Sequence, residues 1–140
     1  MDFLKDKFKL IFITSFLILV GCSNPNIKRI ESISGIKLEE YLTKIEVIEQ
    51  WNDFNGNGNK IIIYKIEKEK VNFITNSLTL KGFNTFNMNN DSTDLFSNSE
   101  LAPFLKNSEG VYKDNWFQNE FTTIIIDTVN KKLIYFFTIM

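Results

Sequence analysis

Residues 53–66 read DFNGNGNKIIIYKI, and two readings of them imply two different folds. A calcium loop would sit between helices, whereas a turn would join two strands. Counting Asp53 as position one, Asn55 and Asn57 supply oxygens at positions three and five. Gly58 stands at position six, where a calcium loop bends sharply. The pattern then fails. Lys60 stands where an apolar residue is needed, at position eight, and Tyr64 replaces the bidentate acid at position twelve. One carboxylate beside a lysine offers too little negative oxygen for a hard dication. The repeated Asn-Gly instead accepts the positive φ of tight hairpins. The run KIIIYKI (60–66) is dominated by β-branched side chains. The stretch therefore predicts a turn entering a strand, with a weak calcium-binding module at 53–59 as the alternative.

Upstream, KLEEYLTKIEVIEQW (37–51) carries two signals. Leu38, Tyr41, Leu42, Ile45 and Ile48 are spaced like one helix face, while Ile45, Val47 and Trp51 suit a strand ahead of a turn. The reading is a short helical or irregular start, then a strand over 44–51. Downstream, residues 67–81 predict a helix. Glu67 and Glu69 favour its positive end, Val71, Ile74 and Leu78 form its stripe, and Gly82 stops it. Residues 84–98 are rich in Asn, Ser, Asp and Thr and read as a loop attached through Phe86, Met88, Leu95 and Phe96. The segment SELAPFL (99–105) suggests one helical turn.

Three further strands are expected at 110–116, 121–128 and 132–139, and their short linkers require antiparallel pairing. In FTTIIID and LIYFFTI the apolar positions are consecutive, so at least one of these strands is covered on both faces. The expected fold is α+β: an antiparallel sheet of about five strands with one main helix, in a single domain over 37–140.

The chain opens MDFLKDKFKLIFITSFLILVGCSN. Lys5, Lys7 and Lys9 precede an apolar run over 10–20. A spanning helix needs roughly 20 residues and a signal-peptide core about 7–15. Leu19-Val20-Gly21-Cys22 closes the run. This opening resembles bacterial lipoprotein precursors, whose lipobox places an aliphatic and a small residue before the cysteine. The resemblance covers only the first 22 to 24 residues. It implies diacylglycerol on the Cys22 thiol, cleavage between Gly21 and Cys22 by signal peptidase II, and in many Gram-negative cells a further acyl chain on the new amino group. One chain holds a protein only marginally, while two or three make a stable anchor. Residues 1–21 are then a signal peptide and 22–36, polar and carrying Pro25, a lipidated tether. Ser23 after the cysteine favours the outer membrane, facing the periplasm, in a Gram-negative cell. In a Gram-positive cell the same anchor faces outward.

Charge and composition narrow the chemistry. Three of the 16 basic and two of the 17 acidic residues precede Cys22, leaving the remainder at a formal −2. No dense basic face is visible, so nucleic-acid binding lacks electrostatic support. The absence of His removes Ser-His and Cys-His catalysis and His-ligated zinc. A single Cys cannot form an internal disulfide, and lipidation would leave no free thiol in an oxidising compartment. No Gly-x-Ser-x-Gly or phosphate-cradling glycine motif is present. The acidic loop residues Asp91 and Asp94, with Glu100, read as solvated.

Among the aromatics, Trp51, Trp116, Tyr112 and Phe117 are weighed as a stacking surface against a place in the core. Adjacent Trp116 and Phe117 project to opposite faces of a strand, so they are the candidate partner surface. The expectation is a non-enzymatic envelope protein without cofactor or metal. It would contact the membrane through Cys22 and act on an envelope partner, as an inhibitor or immunity protein does. A divergent enzyme using Asp, Glu, Lys or Ser is the alternative.

Overall fold

The computed structural model describes residues 24–51, 56–89 and 100–140. The stretch that opened the sequence is a hairpin connection. Strand β1 (Leu42–Trp51) pairs antiparallel with β2 (Gly58–Ile66), and Trp51 lies opposite Gly58. The helical start expected before β1 is a single 3-10 turn, Glu39–Tyr41.

After β2, a 3-10 turn leads into a helix over Val71–Leu80, with Val71, Ile74 and Leu78 buried as the spacing required. Gly82, at φ 88, follows its end. The chain then forms β3 (Asn84–Asn87), β4 (Glu109–Phe117), β5 (Glu120–Asp127) and β6 (Lys132–Ile139). These four make a meander, and β6 returns to pair with β2. All pairings are antiparallel, in the order β1-β2-β6-β5-β4-β3.

Two expectations need correction. The sheet has six strands, because the stretch read as a loop begins with β3. Its four residues are polar except Phe86, which is buried and pairs with Gly110. The fold also has a second helix where a tether was expected: α1 spans Pro25–Ser34, so the Val71–Leu80 helix is α2. The Asn24 side chain accepts from the Asn26 N–H at 3.0 Å, and Pro25 fills the first turn, where its missing N–H costs nothing. Gly35, at φ 75, closes the helix by donating to the Glu31 carbonyl at 2.8 Å. Ile27 and Ile30 on α1 are buried in the core. Residues 25–34 therefore belong to the fold rather than to a tether.

Side chains alternate across the sheet, and both faces are covered. On one face Ile62, Tyr64, Ile124, Ile126, Leu133 and Tyr135 meet Ile27 and Ile30 of α1 and Val71, Ile74 and Leu78 of α2. On the other, Ile61, Ile63, Ile125, Ile134 and Phe136 meet Phe86, Leu101 and Leu105. The segment expected as one helical turn is a 3-10 turn, Ala102–Phe104, and it forms the lid over this second face. Both IIID and LIYF are thus buried on both sides, where at least one was expected to be. Among the described residues, no helix is long and apolar enough to cross a membrane.

Candidate functional site

Strand register brings one end of the sheet together as two rows. On the helix-covered face the last row runs Trp51, Gly58, Ile139, Glu120, Phe117 across five strands. Gly58 is required there. A Cβ would collide with the Trp51 ring and the Gln50 carbonyl, so the bare backbone lets the indole lie across the strand. Trp51 also packs on Phe137, with ring centroids 6.4 Å apart.

The next row, on the opposite face, runs Gln50, Asn59, Thr138, Phe121, Trp116. Trp116 packs on Phe121 at 4.6 Å, and Phe121 meets Phe136 at 6.3 Å. The Thr138 hydroxyl donates to Asn59 Oδ1 at 2.6 Å, while Asn59 Nδ2 donates to Glu100 Oε1 at 2.7 Å. The tight β4–β5 turn, with Gln118 at φ 56, holds the two aromatic corners, and Met140 N–H donates to the Asn119 carbonyl at 3.1 Å.

The end is apolar where it is open. Trp51 is 40% exposed, Trp116 60%, Phe117 61% and Met140 58%. A cleft of about 520 Å³ lies at the Trp51 and Met140 side of this end, walled by Gln50, Trp51, Asn57, Asn59, Ile139 and Met140 around Gly58, with no charged side chain. Glu100 bonds its Asn59 wall, and two ion pairs stand nearby. Arg29 of α1 bonds Glu120 and stands 4.8 Å over the Phe137 ring. Lys60 sits 3.0 Å from Glu49, and its hydrogen bond and charge hold the Glu49 carboxyl below the usual carboxylate value.

Sequence reasoning named Trp116 and Phe117 together, and the structure places both exposed at this end, on opposite faces. Trp51, weighed with them, joins them through register. Tyr112 does not: it lies further back on β4, with its ring edge-on to Phe86 at 6.1 Å. Glu100, read as solvated, accepts from Asn59. The Arg29–Glu120 pair joins residues 91 apart in sequence, and no local signal marks it. Leu19, Val20, Gly21 and Cys22 lie outside the described residues, as do Asp53 and Asn55 of the calcium alternative and Asp91 and Asp94. Among the described residues, no group of three or more His, Cys, Asp and Glu side chains is placed to hold a metal.

One further polar constellation invites a catalytic reading. Ser108 Oγ donates to Asp127 Oδ2 at 2.7 Å, and both residues are fully buried. Asp127 also accepts from the Val129 and Asn130 N–H groups at 3.0 Å and from Asn130 Nδ2 at 2.8 Å. A hydroxyl that no substrate reaches, bonded to a carboxylate already accepting four hydrogen bonds, locks a turn; it does not attack.

Compared with family models, curated proteins and solved structures, the chain matches none, and its function is argued from its own residues.

Proposed function

We propose that this protein is a small lipid-anchored, non-enzymatic contact protein of the bacterial cell envelope. Its lipid would be carried on Cys22 after cleavage behind Gly21, and its working surface would be the aromatic end of the sheet. The observation that carries the surface is the exposure of Trp51, Trp116 and Phe117 at one end of the sheet, with a cleft lacking charged side chains beside Trp51. Soluble domains tolerate scattered exposed apolar residues, but a cluster at one end marks a site of contact. The motif LVGC supports the anchor, through its resemblance to lipoprotein precursors. The final membrane follows the cell type: outer membrane and periplasm-facing in a Gram-negative cell, the outward face of the cell membrane in a Gram-positive one.

A photo-crosslinking amino acid placed at Phe117 or at Lys65 in the full chain, in living cells, tests the surface. Lys65 pairs with Lys132 at the far end of the sheet. Adducts to lipid or protein are expected from position 117 and few from position 65. Equal adduct yields from both would sink the assignment of the surface.

A further inference from the structure

The aromatic end lies within short reach of the expected anchor, and its chemistry suits one occupant. Resting on the lipid-anchor reading above, we propose that the partner of this surface is the bilayer that holds Cys22. Trp51, Trp116 and Phe117 would sit at the headgroup boundary.

The first argument is reach. The cap of α1 is Asn24, so in sequence one residue, Ser23, stands between Cys22 and that cap. From Arg29 back to Asn24 the helix rises about 7.5 Å. Two more residues add at most about 7 Å. An acylated Cys22 is therefore within roughly 15 Å of the Arg29 backbone. The Arg29 guanidinium in turn bonds Glu120, whose cross-strand neighbours are Phe117 and Ile139. From Glu120 to Asp127, at the other end of β5, is about 24 Å at strand rise. A chain this short holds the aromatic end to the membrane more readily than the far end.

The second argument is chemistry. Indole and phenyl rings favour the membrane–water boundary, where Trp finds both an apolar body and a wet edge. Trp116 and Phe117 project from opposite faces of one hairpin tip, as a wedge does. Arg29 pairs with Glu120 and Lys60 with Glu49, so neither cation is free to draw in anionic lipid. Contact should then depend on the rings and the anchor, with little preference for anionic lipid.

The chain has two tryptophans, both in this surface, and they are the probes. The full chain, purified from bacterial membranes with its lipid, is reconstituted into zwitterionic phosphatidylcholine vesicles with brominated acyl chains. Trp51→Phe leaves Trp116 as the reporter, and Trp116→Phe leaves Trp51. Circular dichroism confirms that each variant is folded, and mass spectrometry reads the lipid on Cys22.

With Cys22 lipidated, both reporters should be quenched at least twofold by the brominated chains. They should lose most of their quenching by aqueous iodide, and 30% anionic lipid should change neither result. If Cys22 is lipidated but both tryptophans remain open to iodide, the bilayer contact is overturned and the anchor stands. Shielding that appears only when a protein, or a second copy of this chain, crosslinks to position 117 overturns it in favour of that partner. An unmodified Cys22 overturns the anchor, and this inference with it.

Discussion

Asp127 is the residue that most resembles a catalytic group and is most clearly structural. Four donors converge on its two oxygens, and together they set the β5–β6 turn and pin Ser108 to it. Asp127→Ala would strand the buried Ser108 hydroxyl and two turn N–H groups. A loss of about 2–4 kcal/mol in urea unfolding is expected. A loss below ~0.5 kcal/mol would show that the turn is set elsewhere.

Tyr64 gives the opposite case. Its hydroxyl is buried in the helix-side core with no hydrogen-bond partner. Tyr64→Phe removes a desolvated polar group and no bond, so the melting temperature should hold or rise by a few degrees. A clear fall would mean that the hydroxyl is partnered in solution.

Residues also set the pH limits. Burial pushes the Glu31 carboxyl up, but the N–H groups of Leu38 and Glu39 and the charge of Lys37 outweigh it and hold the group below 4.5. A depressed carboxyl stabilises the fold above its unfolded value, and that contribution is lost as pH falls through the folded one. Burial raises the Tyr64 and Tyr135 phenols above 10.0. Their contribution is complete below 10.0 and is lost as pH rises through the raised values. Glu31→Gln should therefore flatten the stability profile below about pH 5 and leave its alkaline limb in place. A profile identical to the parent's would remove Glu31 from the account.

At the scale of elements, legibility followed side-chain chemistry. Strand β2 announced itself through its β-branched run, and β5 and β6 through consecutive apolar positions that implied cover on both faces for at least one; all three are covered on both. Helix α2 showed its stripe and its glycine stop. Helix α1 was hidden because only Ile27, Ile30 and Ile33 interrupt a polar stretch, although Asn24-Pro25 and Gly35 are ordinary start and stop signals. Strand β3 was hidden because only Phe86 among its four residues is apolar, and its pairing is with residues more than twenty positions away. The aromatic surface was half legible. Adjacent rings in a strand cannot both face one core, which pointed to Trp116 and Phe117. Trp51 joins them only through the register of β1, β2, β6, β5 and β4, which no local pattern encodes.

Two element-scale outcomes follow from that register and from the packing of α1. Ile30→Ala should cost about 2–4 kcal/mol, as for a core residue, where a residue in a tether would cost almost nothing. In a Trp116→Phe background, Gly58→Val should displace Trp51 and shift its emission, with a stability loss of about 1–3 kcal/mol. Unchanged emission would mean that Trp51 does not lie over Gly58.

At the scale of the whole molecule, the two ends of the sheet differ in kind. One end is a turn locked by Asp127. The other opens three aromatic rings beside a helix whose cap, Asn24, is two residues after Cys22. The proposed anchor and the proposed surface would belong to one arrangement, in which the domain would stand close on its membrane and present its apolar end to it.

The measurement that bears most directly on that arrangement is metabolic labelling of the full chain with an alkyne fatty acid, beside Cys22→Ser, followed by intact-mass analysis. The expected result is a labelled protein that begins at Cys22, and an unlabelled, uncleaved chain for Cys22→Ser. A parent protein that retains residues 1–21, or that is cleaved but carries no lipid on Cys22, would contradict the account.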